Sequence, residues 1–512
     1  MDSSKAAVFV QSTGLPSLED AKKLQVRGPA GLRADGTTTG CCETATVVMD
    51  GMSNVGFQAT NMGMATTLIQ TKMLAGRQFR KTVLQTEEEQ IKKRYKYERD
   101  DTPHPERQFD REKLPPLIFL GIVSSMLRNA SSPPPPTSST SSSSLPPKIK
   151  KQKKTIIHDS LVFMAREALL DVMVISGGGP ENDLRNLYDA AVSAATSSTI
   201  SNSSTEEVGM GDDSKGFRAF INCLIETIHK RQHALYVSAM EKVGSGGGEG
   251  IVSDDVEAGR VCEWALGPSN FWDLVGSSLV TEITKVLLSQ SSSSSSTTFG
   301  SLSRTALEVC QGNSMLYWCH VNGIPVFSPS ISDGDMAMWI REWEITSTNT
   351  NTTLNINISS SQIKKRRWHY ATEKDTPSSP SIPTTTTTTP FVFDLTRDIG
   401  RLNKISAWAK NPTCMLIFGG GVVKHHVCNA NLFRNGADFS VYVNSAQEYD
   451  GSDGGARPDE AISWGKIKKT AEKNCAVKVF GEVSLIVPLL VAHGFGKYVQ
   501  QGVASTSSTP TQ

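Results

Sequence analysis

The chain has 512 residues, 38% of them hydrophobic, and 52 Lys and Arg stand against 51 Asp and Glu for a formal net charge of +1. A charge balance this close to zero carries no footprint of nucleic-acid or anionic-membrane binding, and the apolar fraction is ample for a large buried core. The nine cysteines are scattered singly apart from Cys41-Cys42, with no C-x-x-C pair or zinc spacing, so reduced thiols in a reducing compartment are expected.

At the N-terminus, MDSSKAAVFVQSTG lacks a long apolar h-region, and no run approaches the roughly 18 apolar residues that span a bilayer. The cytoplasm is therefore the expected location, with no membrane partner. The first strand-like run is Leu117 to Gly121. Further runs follow at Val172 to Ser176, Ile324 to Phe327, Met415 to Phe418, Val441 to Val443 and Val477 to Phe480, with helical patterns between them. This alternation predicts an α/β, Rossmann-like architecture with a mainly parallel sheet flanked by helices.

Ser-, Thr-, Pro- and Gly-rich tracts interrupt the pattern near 129–154, 197–214, 243–255, 289–303 and 346–390. Such compositions cannot bury enough apolar area to offset ordering entropy, so these tracts are expected to be disordered inserts. The runs flanking the first of them, IFLGIVSSML and SLVFMAREALLDVMVISGGG, read as one strand–helix–strand unit. The expected organisation is an N-terminal arm (1–45), one catalytic domain (46–498) and a disordered tail (499–512). The basic KIKKQKK run (148–154) reads as a solvated insert flank more readily than as a site for an acidic partner.

The strand Met415 to Phe418 stops at Gly419-Gly420-Gly421, and a helical pattern from Val422 to Arg434 ends at Asn435-Gly436 before another strand-like run, Phe439 to Val443. Strand, glycine turn and helix start is how α/β proteins hold a phosphate. The triplet lacks G-x-G-x-x-G spacing, so by itself it reads equally well as a flexible turn. Further on, Gly451 to Lys466 gathers carboxylates that attract a cation and ends in a lysine beside Trp464. A lysine desolvated by an indole would offer the neutral amine that attacks imines and carbonyls.

Between Gly419 and Lys466 the strings GGGVVKHHVCNANLFRNGAD and YVNSAQEYDGSDGGARPDEAISWGK strongly resemble deoxyhypusine synthase. The resemblance extends, in the family's order, through LQVRG (24–28), GFQATNMGMA (56–65), IFLG (118–121), GIPVFSPSISDG (323–334) and SLIVPLLVA (484–492). It implies NAD-dependent transfer of the butylamine moiety of spermidine, through an enzyme-lysine imine, to a lysine of the translation initiation factor 5A precursor. It also implies tetramers of tight dimers with sites at the dimer interface.

Carried over position by position, the resemblance makes Lys466 the imine-forming lysine and His425 the histidine beside the reacting amine. His426 lies about 100° round a helix from His425, so no two-histidine metal site is expected. Gly451, Ser452, Asp453, Glu460 and Trp464 match spermidine-contacting positions, and Glu181 falls near ribose and substrate. Ser124, Ser125, Ser176, Gly177, Gly178, Asp333, Gly420, Ser445, Ala446, Asp450, Glu482 and Val483 fall on the nicotinamide-dinucleotide side.

The departures lie mostly on that side. The family's Thr-Ser-Asn is Val123-Ser124-Ser125, and its Glu-Glu-Asp run is Glu181-Asn182-Asp183. A spermidine-binding aspartate is replaced by Met338 or displaced to Asp335. The Ala-Asp-Ala-Ser run ahead of the expected final strand reads Gly481-Glu482-Val483-Ser484. An intact lysine half with an eroded cofactor half implies a subunit completed by a lysine-less paralogue in an allosterically activated heterotetramer, an arrangement certain protists in the family use. A homospermidine synthase acting on putrescine and a regulatory, non-catalytic homologue remain as alternatives.

Overall fold

The computed structural model describes residues 57–77, 115–127, 156–199, 213–244, 265–290, 299–351, 390–451, 453–469 and 475–500. LQVRG, KIKKQKK, Ser452, the N-terminal arm, most of the expected tail and most of each expected insert lie outside them. Where the described residues enter the expected inserts and tail they are helical, because each flanking helix runs past the composition boundary.

In chain order the elements are α1 (Phe57–Leu68), β1 (Leu117–Ile122), α2 (Ile156–Arg166), β2 (Val172–Ile175), α3 (Gly178–Thr199) and α4 (Asp213–Gly244). These are followed by α5 (Pro268–Gln290), α6 (Phe299–Asn313), α7 (Met315–Asn322), β3 (Val326–Phe327), α8 (Met336–Asn351) and α9 (Leu395–Ala407). Last come β4 (Thr413–Phe418), α10 (Gly421–Leu432), β5 (Phe439–Asn444), α11 (Pro458–Ser463), β6 (Ala476–Phe480) and α12 (Val483–Leu490).

The six strands form one sheet in the order β3-β2-β1-β4-β5-β6, and every neighbouring pair is parallel. The chain winds outward from β1 to β3, then returns to the other side of β1 at β4. The order therefore reverses between β1 and β4, where doubly wound α/β folds open a ligand crevice. β1 and β4 are buried at every position, because helices cover both faces of a parallel sheet and its strands read as continuous apolar runs. Toward one face Leu117, Phe119, Val174, Met415 and Ile417 pack with Val423 and Val427 of α10. The alternate residues Ile118, Leu120, Met173, Leu416 and Phe418 are equally buried. Gly121 leaves room for α10, since a Cβ there would meet the Val427 side chain at 3.3 Å.

Two expectations change. β3 starts at Val326 rather than Ile324, because it is the sheet edge and Pro325 has no N–H to extend the ladder. Gly481 to Ser484 follows the final strand instead of preceding it: β6 ends at Phe480, and Glu482 caps α12 by accepting from the Leu485 N–H at 3.1 Å. The stretch Val483–Gln500 is also long and apolar enough, by length and composition, to cross a membrane, which the sequence reading did not anticipate. In this structure its first turns pack against α2 and β5.

The chain clusters into two compact units where one domain was expected. The sheet and its helices form the larger, from residues 1–208, 267–334 and 394–512. The smaller comprises 209–266 and 335–393. Within it Phe217 of α4 meets Trp339 of α8 edge-on at 5.6 Å, and Arg218 lies over the same indole and pairs with Glu342.

Candidate active site

The described residues expected on the cofactor side, Asp450 apart, sit just beyond or within a few residues of the carboxyl end of a strand. Ser124 and Ser125 follow β1, Ser176 to Gly178 follow β2, and Asp333 follows β3. Gly420 follows β4, Ser445 and Ala446 follow β5, and Glu482 and Val483 follow β6. The Ser124 N–H donates to Ser176 Oγ at 2.9 Å, and the Ser124 hydroxyl donates to Asp333 Oδ2 at 2.9 Å, tying three strand ends together. The Glu181 carboxylate, buried in the first turn of α3, packs over Gly334, where a Cβ would lie 2.3 Å from Oε1. Gly177 and Gly178 serve a different approach from the one a phosphate would make. Their N–H groups donate to the carbonyls of Ser330 and Asp333, and a Cβ on Gly177 would lie 2.7 Å from the Ile331 carbonyl.

At the β4 end, Gly419 takes φ +94° against Val123, whose side chain a Cβ there would meet at 2.8 Å. Gly420 lies under Gly454, which a Cβ would approach to 2.9 Å. Helix α10 starts here and ends at Leu432, two residues short of the expected Arg434, and the turn that follows carries Asn435 and Gly436, both at positive φ.

Lys466 owes its place to a chain of backbone constraints. Pro458 opens α11 at a position where a missing N–H costs nothing. Gly465 then takes φ +76° after Trp464, and the Lys466 N–H donates to the Ala461 carbonyl at 2.8 Å. Ala437 N–H donates to the Lys466 carbonyl and Lys468 N–H to the Ala437 carbonyl, each at 3.0 Å, so the lysine segment docks beside the α10–β5 turn. Gly436 makes this fit: a Cβ there would meet the Ile467 carbonyl carbon at 2.6 Å.

Lys466, His425, Asp453, Glu460 and Trp464 come together around one pocket. His425 Nε2 meets the Asp453 carboxylate. Lys424, Cys428 and Arg457 complete the polar lining. Burial lowers the Lys424 pKa and raises that of the Cys428 thiol. Burial also lowers the pKa of His426, the histidine next to His425. The Trp464 indole is 67% exposed, and Lys466 is half-buried. A pocket combining carboxylates, a histidine and a lysine has the groups needed to hold a polycation, move a proton and form an imine.

Residues 258–374 and 381–493 match the family model described as deoxyhypusine synthase. Over those two stretches the chain is similar to deoxyhypusine synthases. The deoxyhypusine synthase of Trypanosoma brucei brucei is 33% identical over 358 residues, 65% of this chain and 64% of that protein. That of Leishmania donovani is 28% identical across 99% of this chain and 95% of its own length. A probable deoxyhypusine synthase of Schizosaccharomyces pombe is 42% identical over 194 residues, 38% of this chain and 43% of that protein. The chain thus spans under two thirds of the first and third of these relatives and nearly all of the second. A crystal structure provisionally assigned as a deoxyhypusine synthase, from Entamoeba histolytica, is similar at 15% identity and TM-score 0.40, covering 88% of this chain and 92% of that one.

Among the positions that depart from deoxyhypusine synthase sequences, Asn182 has local work. Asn182 donates to the Gly178 carbonyl at 2.7 Å. Asp183 is fully buried and accepts from His158, from the Ser314 hydroxyl and from the Met315 and Leu316 N–H groups, so it caps α7. Ser125 is exposed in a 3-10 turn. Met338 and Asp335 are exposed residues of the smaller unit. Gly451 is at φ +67°, and Asp450 ends a short 3-10 turn. The sequence reading missed Lys424, Cys428 and Arg457 as lining residues. Helical spacing offered a signal for the first two, because positions four apart share a face of α10.

Proposed function

We propose that this chain catalyses NAD-dependent transfer of the butylamine moiety of spermidine to a lysine of the translation initiation factor 5A precursor, forming deoxyhypusine. The observation that carries the reading is the single cavity lined by Lys466, His425, Asp453, Glu460 and Trp464. Spermidine is a flexible polycation, and Asp453 and Glu460 supply carboxylates for its ammonium groups while the exposed Trp464 ring offers a cation–π face. His425, held by Asp453, takes a proton from the reacting amine. The Lys466 amine then adds to the imine carbon of the oxidised substrate. A new C–N bond forms, 1,3-diaminopropane leaves, and the butylamine fragment remains on Lys466 until the acceptor lysine displaces it by the same exchange.

The chemistry of the carboxyl edge fits a dinucleotide at the β1–β4 switch point. Ser124, Ser176, Asp333 and Glu181 offer hydroxyls and carboxylates there, and the glycine turn at Gly419 to Gly421 opens α10. Ser445 and Ala446, beyond β5, flank the same crevice. When bound, NAD would supply the hydride acceptor for amine oxidation and, once reduced, the hydride that turns the imine on the acceptor lysine into the secondary amine of deoxyhypusine. Gly177 and Gly178 contribute through shape rather than as phosphate donors, because their N–H groups are already bonded.

We further propose that the chain works in the cytoplasm and reaches full activity in a heterotetramer with a lysine-less paralogue, which supplies the side chains that Val123, Ser125, Asn182 and Met338 lack. Incubating the pure chain with labelled spermidine, NAD and the factor 5A precursor tests the activity. Label entering the precursor supports the reading, and label entering putrescine alone overturns it.

A further inference from the structure

The loop from Ser445 to Arg457 carries Asp453 and has almost no apolar side chains, with glycines at 451, 454 and 455. A segment of that composition cannot be held by burial of its own side chains. Backbone hydrogen bonds from two lysines outside the loop hold it instead. Lys478, on β6, donates to the Ala446 carbonyl at 3.1 Å and to the Gly455 carbonyl, joining the two stems of the loop at its neck. Gly455 allows that closure, since a Cβ there would lie 2.0 Å from the Gln447 carbonyl oxygen. Lys424, on α10, donates to the carbonyl of Asp453 and, at 3.5 Å, to that of Ala456, with its ammonium 5.1 Å from the centre of the Tyr442 ring.

Both lysines are buried, 6% and 9% exposed. Among the described residues neither forms an ion pair with a carboxylate. Desolvation holds both ammonium groups below the ordinary lysine range, with Asp453 and Glu460 pulling Lys424 back up and Glu448 doing the same for Lys478. Burying an ammonium against carbonyls alone is expensive, and a neutral side chain would fill either position without that cost. What the neutral side chain could not do is fix four carbonyls of one loop. The pairing with His425 sharpens the point. Adjacent residues of α10 grip the two ends of Asp453: Lys424 takes its backbone carbonyl, and His425 takes its carboxylate. Attachment at two points sets both the position and the direction of that carboxylate at the cavity.

We propose that Lys424 and Lys478 are positioning residues that clamp the 446–456 loop from opposite sides and so hold the Asp453 carboxylate in the geometry that receives the substrate amine. The role of Asp453 in this statement rests on the proposed function; the clamp itself does not.

The test uses the full chain and the variant Lys478→Met, which keeps the stem length and removes the donors. Hydrogen exchange of peptides covering 446–457 should accelerate about tenfold while β5 and β6 peptides keep their wild-type rates. With spermidine as substrate, KM should rise about tenfold and kcat should fall by less than about threefold, the signature of lost substrate positioning. Lys478→Gln, which keeps an N–H donor, should recover part of both effects. Wild-type loop exchange in a folded Lys478→Met protein overturns the clamp, and so does a collapse of kcat with KM unchanged. Should Lys478→Met fail to fold, Lys424→Met makes the same measurement from the other side of the loop, and unchanged loop exchange there overturns the proposal equally. The exchange arm needs no substrate. A wild-type chain that does not turn over spermidine therefore overturns the functional reading and leaves the clamp to be judged on exchange.

Discussion

His425 Nε2 meets the Asp453 carboxylate, a contact that joins the start of α10 to the loop ahead of α11, and both side chains remain partly exposed, at 40% and 51%. A pair open to solvent exchanges partners at little cost. An incoming ammonium can therefore take the carboxylate while the histidine turns to the substrate proton. His425→Ala should leave NAD binding intact and lower spermidine oxidation by roughly a hundredfold or more, the usual range for a lost general base. Turnover at the wild-type rate would remove His425 from the chemistry.

Lys466 should carry the covalent fragment. Borohydride added during turnover should fix a butylamine adduct on this residue, read by peptide mass, and Lys466→Arg should abolish it because a guanidinium stays protonated. The alternatives have other duties: Lys468 pairs with Asp438, and Lys424 is bonded to loop carbonyls. An adduct on either would reassign the nucleophile.

Gly436→Ala should damage the site from outside it. Its φ is +104°, and the new methyl would meet the Ile467 carbonyl carbon and the Lys468 nitrogen at 2.6 Å. A cost of about 1–3 kcal/mol in unfolding free energy is expected, together with slower adduct formation at Lys466 in the folded fraction. Wild-type stability and trapping rates would show that the lysine segment needs no such fit.

Stability should fall on the alkaline side. Burial alone would lower the His158 pKa, but its contacts with Asp159 and Asp183 outweigh burial and raise it to about 9. A folded value above the ordinary 6.5 means the stabilisation is fully present below that pH and is lost as pH rises through about 9. The difference corresponds to about 3 kcal/mol. Calorimetry between these limits should show a declining melting temperature that His158→Gln flattens, and equal slopes for the two proteins would refute the assignment.

Co-expression tests the paired subunit. A lysine-less paralogue should co-purify as a heterotetramer and raise activity about tenfold or more. Ser125→Asn, Asn182→Glu and Met338→Asp together should recover part of that gain in the isolated chain. Removing the Asn182 amide also removes its bond to the Gly178 carbonyl, so some loss of stability is expected alongside. Full activity of the isolated chain with no response to the paralogue would count against the arrangement.

The sheet was legible in the sequence because parallel strands buried on both faces must read as apolar runs, and LIFLG, VMVI and MLIF do. The turn after α10 was legible for a similar local reason, since Asn435-Gly436 accepts the positive backbone angles that most residues resist. The order of the strands and the reversal between β1 and β4 depend on contacts between segments far apart in the chain, such as Leu117 with Thr413, which no local pattern encodes. The same division runs through the site. Lys466, His425, Asp453, Glu460 and Trp464 stood out by residue type and family likeness, but only the tertiary structure gathered them around one cavity. It also decided that Asp183 caps a helix, that Glu482 follows the last strand, and that Gly177 and Gly178 admit a neighbouring loop. The grip of Lys424 and Lys478 on backbone carbonyls was invisible beforehand. A carbonyl belongs to every residue, so nothing in the sequence marks which ones a distant ammonium will find.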